Sequence, residues 1–204
     1  MREETTMKRC SAIAAALLLL GLTAFWHSQP ASGQADAGWV TLFDGSNLND
    51  WNQIGDANWK IVDGAVQADK GNGFLVSKNS YGNFQLRAEF WVDTAANSGI
   101  FIRCTNPEKV GTDSAYEVNI FDTRPDPSYG TGAIVNIAKV SPMPKAGEKW
   151  NNYEVTANGP KLTVTLNGVR TVDGVEDSKF ASGRIALQYG AGVVKFRKVQ
   201  VKPI

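Results

Sequence analysis

Histidine is almost missing from this 204-residue chain: the single one, His27, lies in an N-terminal apolar stretch. Beyond it no imidazole is available, which excludes Ser-His-Asp and Cys-His catalysis and histidine-held metal sites. Cysteine is nearly as scarce. Cys10 precedes the apolar stretch, and Cys104 stands alone in the body of the chain, so no internal disulfide can form there. A lone cysteine of this kind is ordinarily a small buried apolar filler. An excess of one charge is missing too. Lys and Arg number 21 against 20 for Asp and Glu, which argues against nucleic acid or an anionic membrane as the main partner, since either usually needs a basic face. No helical period, internal repeat or linker shows after Gly38. Gly71-Asn72-Gly73 is too short for a phosphate loop and has no helix behind it. No cofactor or metal is expected.

What is present begins with a leader. Lys8 and Arg9 form a short basic patch, and Ser11 to Trp26 runs almost without polar residues. Small residues follow, with an A-x-A pattern at Ala35-Asp36-Ala37. This is the layout of a secretory signal peptide. The apolar run is short for a span, which needs ~20 residues, so removal is expected rather than anchoring. Residues 1–37 are assigned to the signal peptide and 38–204 to one domain. That domain is large enough to enclose a core. The expectation is a secreted or periplasmic protein without a stable membrane anchor.

Beyond the leader the period is two. Phe84-Gln-Leu86-Arg-Ala88-Glu-Phe90 alternates, as do Leu162-Thr-Val164-Thr-Leu166 and Lys195 to Val201. This is how half-buried antiparallel strands look. Asp63-Gly64, Asn158-Gly159, Asn167-Gly168 and Asp173-Gly174 supply hairpin turns, whose central positions need φ > 0. The pattern predicts strands at 39–43, 58–62, 65–69, 73–77, 84–92, 99–104, 115–121, 132–138, 151–157, 161–166, 169–172, 184–189 and 193–202. Many short strands with regular turns indicate an all-β, two-sheet antiparallel sandwich or jelly roll. The irregular stretches 105–114, 122–131 and 141–149 are the kind of loop that rims a binding face.

Chemistry gathers around Tyr116-Glu117-Val118-Asn119-Ile120-Phe121-Asp122. On a strand, Glu117 and Asn119 share one face. A bulge near Ile120-Phe121 would bring Asp122 round to join them. The spacing E-x-N-x-x-D resembles the E-x-D-x-x-E strand of family-16 β-glucanases, and a carboxylate pair is the usual equipment for glycoside cleavage. Alternation along Asn97 to Arg103 puts Arg103 on a face with Phe101, from which it could reach the Glu117 carboxylate. Glu89 and Trp91 share a face of their strand, and Gln188 lies on a late one. Amides, charges and a flat indole together suit sugar binding. Glu117, Arg103 and Asp122 are therefore the candidate catalytic residues. Glu89, Trp91, Asn119 and Gln188 are the candidate substrate-binding ones.

The ordered set Leu42-Phe43-Asp44-Gly45, Trp59 to Gly64, Asn97 to Arg103, Tyr116-Glu117-Val118, Gly132-Ala133-Ile134, Trp150 to Glu154, Leu166-Asn167-Gly168 and Leu187-Gln188 resembles the 3-keto-disaccharide hydrolase domain family. The resemblance implies a concanavalin A-like jelly roll, export, and hydrolysis of glycosides or disaccharides whose sugar is oxidised to a ketone at C3. On that basis Glu117 is the expected general base, Arg103 the stabiliser of the enolate, and Asp122 the acid for the leaving group. Direct hydrolysis by a Glu117–Asp122 pair is the other route. A non-catalytic, lectin-like carbohydrate-binding module is the alternative to an enzyme, and a structural envelope protein without ligand is a third reading. A buried carboxylate with a raised pKa would favour the enzyme.

Overall fold

A computed structural model describes residues 37–204; the signal-peptide assignment falls on residues outside that range. Thirteen strands follow in chain order: β1 Val40–Phe43, β2 Trp51–Gly55, β3 Lys60–Val62, β4 Ala65–Ala68, β5 Gly73–Tyr81, β6 Phe84–Val92, β7 Ser98–Cys104, β8 Tyr116–Ile120, β9 Trp150–Asn158, β10 Lys161–Leu166, β11 Val169–Glu176, β12 Gly183–Tyr189 and β13 Val194–Pro203. One 3-10 turn, Pro127–Tyr129, is the only helical element among the described residues.

The strands form two sheets. The larger has eight, in the order β11-β10-β9-β6-β13-β4-β3, with β1 also paired to β13. The smaller has five, in the order β2-β5-β12-β7-β8. Every strand pairing is antiparallel. The architecture is the expected two-sheet jelly roll.

Alternation fills the space between the sheets. Phe84, Leu86, Ala88, Phe90 and Val92 of β6 point inward, opposite Leu75, Ile100, Ile102, Val118 and Leu187 of the smaller sheet. Phe90 stacks on Tyr153 with ring centres 5.0 Å apart. Each of the larger aliphatic and phenyl side chains contributes ~1.5–3 kcal/mol when fully buried. The other face of the smaller sheet also carries an apolar cluster. There Val76, Phe101, Cys104, Ala115 and Ala186 form a second cluster, with Val110 of the 105–114 loop packed on it. Cys104 thus takes the filler role expected of it.

Two strand expectations change. Residues 51–55 form β2, which the pattern did not reveal; this strand is defined by pairing with β5. Residues 132–138 are not a strand. Gly132, Ala133 and Val135 bond the free edge of β8, and Ile134 then pairs back onto Ala138. Asn136 at φ 63° reverses the chain there. Asp63-Gly64 and Asn167-Gly168 are hairpin turns with positive φ at both residues, whereas Asp173-Gly174 lies inside β11.

Candidate active site

The register of the smaller sheet builds the site. Phe101 of β7 stands opposite Glu117 of β8, and Gly99 opposite Asn119. On the other side Ala186 of β12 faces Phe101, and Leu187 faces Ile100. One step further along that ladder, Gln188 comes level with Gly99. Gln188 also faces Phe74 of β5. Glu117, Asn119 and Gln188 therefore share the outer face of this sheet, above the Phe101 cluster.

Glu117 is 8% exposed, and among the described residues no group hydrogen-bonds its carboxyl. Burial raises its pKa from 4.5 to about 7; the charge of Arg124 opposes the shift but does not cancel it. A carboxyl in this condition can hold or release a proton near neutrality. Arg124, part-buried in the loop after β8, is the cation whose charge reaches it. Sequence reading marked that loop as a rim but did not single out Arg124, because nothing in the local pattern distinguishes it from a solvated arginine.

Arg103 is not part of this group. β7 carries one extra residue where Ala186 and Arg184 face Phe101 and Cys104, and Arg103 sits at φ 53°. This is a β-bulge, and it reverses the alternation. Cys104 takes the outer face, and Arg103 turns inward to 1% exposure. Its guanidinium donates to the carbonyls of Gly82 at 2.9 Å, Gly159 at 2.8 Å and Phe180 at 3.1 Å, and to Asn83 Oδ1 at 3.3 Å. Burial lowers its pKa. It ties three chain segments together.

Asp122 is also placed differently from expectation. β8 pairs with β7 without a register shift through Ile120, so no bulge brings Asp122 round. It lies beyond the strand end and anchors a loop. Its carboxylate accepts from Thr131 Oγ1 at 2.6 Å, and from the amides of Ala146 and Gly147 at 2.9 Å each. Both of its oxygens are taken up by this loop, which makes it an anchor and not a neighbour of Glu117.

Glu89 and Trp91 belong to the other sheet. β6 is a central strand of the larger sheet, and their side chains lie on its outer face. Glu89 pairs with Arg197 at 2.6 Å, and Arg197 lies 4.0 Å over the Trp150 ring. Lys195 lies 4.8 Å over Trp91. Alternation gave their common face correctly but could not say which sheet owned the strand. Of the seven candidates, the structure brings together Glu117, Asn119 and Gln188.

A jelly roll with a buried, unpaired carboxyl among amides on one sheet face has the form of a carbohydrate-acting protein. Residues 38–202 match the 3-keto-alpha-glucoside-1,2-lyase-like domain, and the chain belongs to that family. A 3-keto-disaccharide hydrolase of Bacteroides thetaiotaomicron is 30% identical over 118 residues, 46% of this chain and 41% of that protein. The chain thus matches less than half the length of that relative. Among solved structures, a proposed glycosyl hydrolase from Parabacteroides distasonis superposes with a TM-score of 0.73 at 17% identity, covering 83% of this chain and 95% of that one. A Bacillus licheniformis β-glucanase gives a TM-score of 0.60 at 13% identity, covering 82% and 99%. These two similarities concern the fold.

Proposed function

We propose that this protein cleaves glycosides whose sugar carries a ketone at C3, with Glu117 as the proton-transfer residue. The observation that carries this reading is the state of Glu117: buried, unpartnered and raised to about 7. The family and the named Bacteroides relative support the substrate class.

The chemistry follows from the ketone, which acidifies the proton on C2. Ionised Glu117 takes that proton, and the C–H electron pair becomes an enolate with its charge on the C3 oxygen. Arg124 is the cation placed to favour that charge. The enolate reforms the ketone, a C1–C2 double bond forms, and the C1–O bond breaks. Protonated Glu117 returns its proton to the departing oxygen, which restores the carboxylate. Water then adds: hydroxide bonds C1, the enolate forms again, and C2 takes back a proton. The sum is hydrolysis. One carboxyl near neutrality serves as base and then acid, so the role first expected of Asp122 passes to Glu117, and that of Arg103 to Arg124. The reading includes export after loss of the leader, which N-terminal sequencing of secreted protein tests.

The test is incubation of the purified protein with 3-keto and ordinary disaccharides in D2O. Cleavage of the keto form alone, with deuterium at C2 of the product, is expected. Cleavage without deuterium would replace elimination by direct displacement. Binding without cleavage would make the protein a carbohydrate-binding module.

A further inference from the structure

Three buried side-chain polar atoms among the described residues lack a hydrogen-bond partner: Trp59 Nε1, Asn119 Oδ1 and Gln188 Oε1. Trp59 is a donor, packed edge-on to Tyr189 with ring centres 6.2 Å apart. The other two are amide oxygens on the same sheet face, in one row, with Gly99 between them. Leaving such a group unpaired in a protein interior is costly. Two in a row, beside a carboxyl without a hydrogen-bond partner among the described residues, leave unfilled acceptors on this face.

The orientation of Asn119 is settled. Its Nδ2 donates to the Tyr129 carbonyl at 2.7 Å, which an amide oxygen could not do. Oδ1 is therefore a fixed acceptor, and Asn119, at 0% exposure, forms the closed end of the row. At the other end Gln188 and its neighbour Phe74 are part-exposed as residues, while Gln188 Oε1 itself is covered. Two strand spacings, ~9.6 Å, separate the two amide-bearing strands. Between them position 99 has no side chain. A Cβ there would stand 3.3 Å from Glu117 Cγ and Oε1 and 3.3 Å from the Val118 carbonyl.

Acceptors select donors. A sugar hydroxyl donates, whereas a ketone oxygen cannot. A pyranose oxidised at C3 carries hydroxyls on C2 and C4, one on each side of the ketone. We infer that Asn119 and Gln188 each receive one of these two hydroxyls, which seats the C3 ketone over Gly99 and C2 beside Glu117. The inference rests on the function proposed above and adds the direction in which the ring enters. Glycine at position 99 leaves the Glu117 carboxyl room to stand beside C2. Phe74, on the Gln188 side, offers a flat apolar surface to the C–H face of the ring.

The experiment compares binding of methyl 3-keto-α-glucoside with its 2-deoxy, 4-deoxy and 6-deoxy analogues, by calorimetry, to the wild type and to Gln188→Met. Met keeps the length of Gln and removes the acceptor. The wild type should lose about tenfold in affinity or more for the 2-deoxy and 4-deoxy analogues, on the scale of one lost hydrogen bond, and little for the 6-deoxy analogue. One of the first two losses should vanish in Gln188→Met, and Gln188→Glu, which keeps an acceptor, should restore it. Equal binding of all analogues, or a 6-deoxy loss larger than the other two, would overturn the inference. Hydroxyl-dependent binding without cleavage would uphold it while removing the proposed reaction. Cleavage with KM and kcat unchanged in Gln188→Met would do the reverse.

Discussion

The absent side chain of Gly99 makes room for Glu117. A Cβ built on Gly99 would lie 3.3 Å from both Cγ and Oε1 of that glutamate, closer than such atoms normally sit. Gly99→Ala should therefore displace the carboxyl more than it harms the fold. Overpacking of this kind costs ~1–3 kcal/mol, a modest fall in melting temperature. Turnover of a 3-keto glycoside should fall by about tenfold or more, because small misplacements at a reacting group are felt strongly. Unchanged turnover in Gly99→Ala would show that the geometry around Glu117 does not matter to the reaction.

The pH dependence of Glu117 gives a prediction with a definite sign. The folded chain raises its pKa from 4.5 to about 7. Between those values the folded state keeps a proton that the unfolded state has released, so stability falls as pH rises through the window and levels off above about 7. The whole effect is on the order of 3 kcal/mol. Glu117→Gln should remove that slope. Its melting temperature should match the wild type near pH 4 and exceed it by several degrees at pH 8. Turnover in the variant should drop by ~10² or more. In the wild type, kcat/KM should climb with pH up to about 7 and then flatten. Parallel melting curves at the two pH values would show that Glu117 is not perturbed.

Arg103 should behave as a structural strut. Arg103→Met leaves the carbonyls of Gly82, Gly159 and Phe180 without their donor. Each stranded buried group costs ~1–3 kcal/mol. A large loss of melting temperature is expected, with kcat preserved in whatever protein remains folded at low temperature. A kcat collapse at unchanged stability would return Arg103 to the reaction.

Asp122→Ala tests the loop anchor. The amides of Ala146 and Gly147 both donate to Asp122 Oδ2, so truncating the side chain leaves both without that acceptor. Hydrogen exchange at these two amides should accelerate by at least tenfold, with ~1–3 kcal/mol lost overall. Exchange unchanged at both positions would contradict the assigned role.

Glu89→Gln and Trp91→Ala lie on the far face of the larger sheet and should leave turnover within about twofold. The Glu89–Arg197 pair is partly exposed, and pairs of this kind contribute ~0–1 kcal/mol. A selective loss of kcat in either variant would require a second active surface.

Much of the fold was legible because a half-buried strand writes itself as alternation. β6 reads Phe84 to Val92 in strict inward and outward order, and the two Asx-Gly hairpins at Asp63-Gly64 and Asn167-Gly168 announced themselves by residue type. Glu117 and Asn119 were assigned to one face because period two is a local property. β2 escaped notice because three of its five residues are exposed or glycine and its place depends on β5. Arg103 and Asp122 were misplaced by single-residue events: an inserted residue in β7, and a strand that ends at Ile120 where a bulge was expected. A one-residue change of register exchanges the two faces of a sheet, and nothing in Ile102-Arg103-Cys104 marks where that change falls.

Local pattern and residue type were enough for the all-β class, most of the strands, the chemistry that scarce histidine and cysteine exclude, and the family-like order of motifs. Tertiary structure decided which sheet owns each strand, and so that Glu89 and Trp91 stand apart from Glu117. It also decided that Glu117 is buried without a partner and is raised to about 7. The reason is physical. Alternation is set by the pleat of one chain segment. Burial and desolvation come from how separate segments pack, here β7 alongside Glu117 and Val110 against the Phe101 cluster.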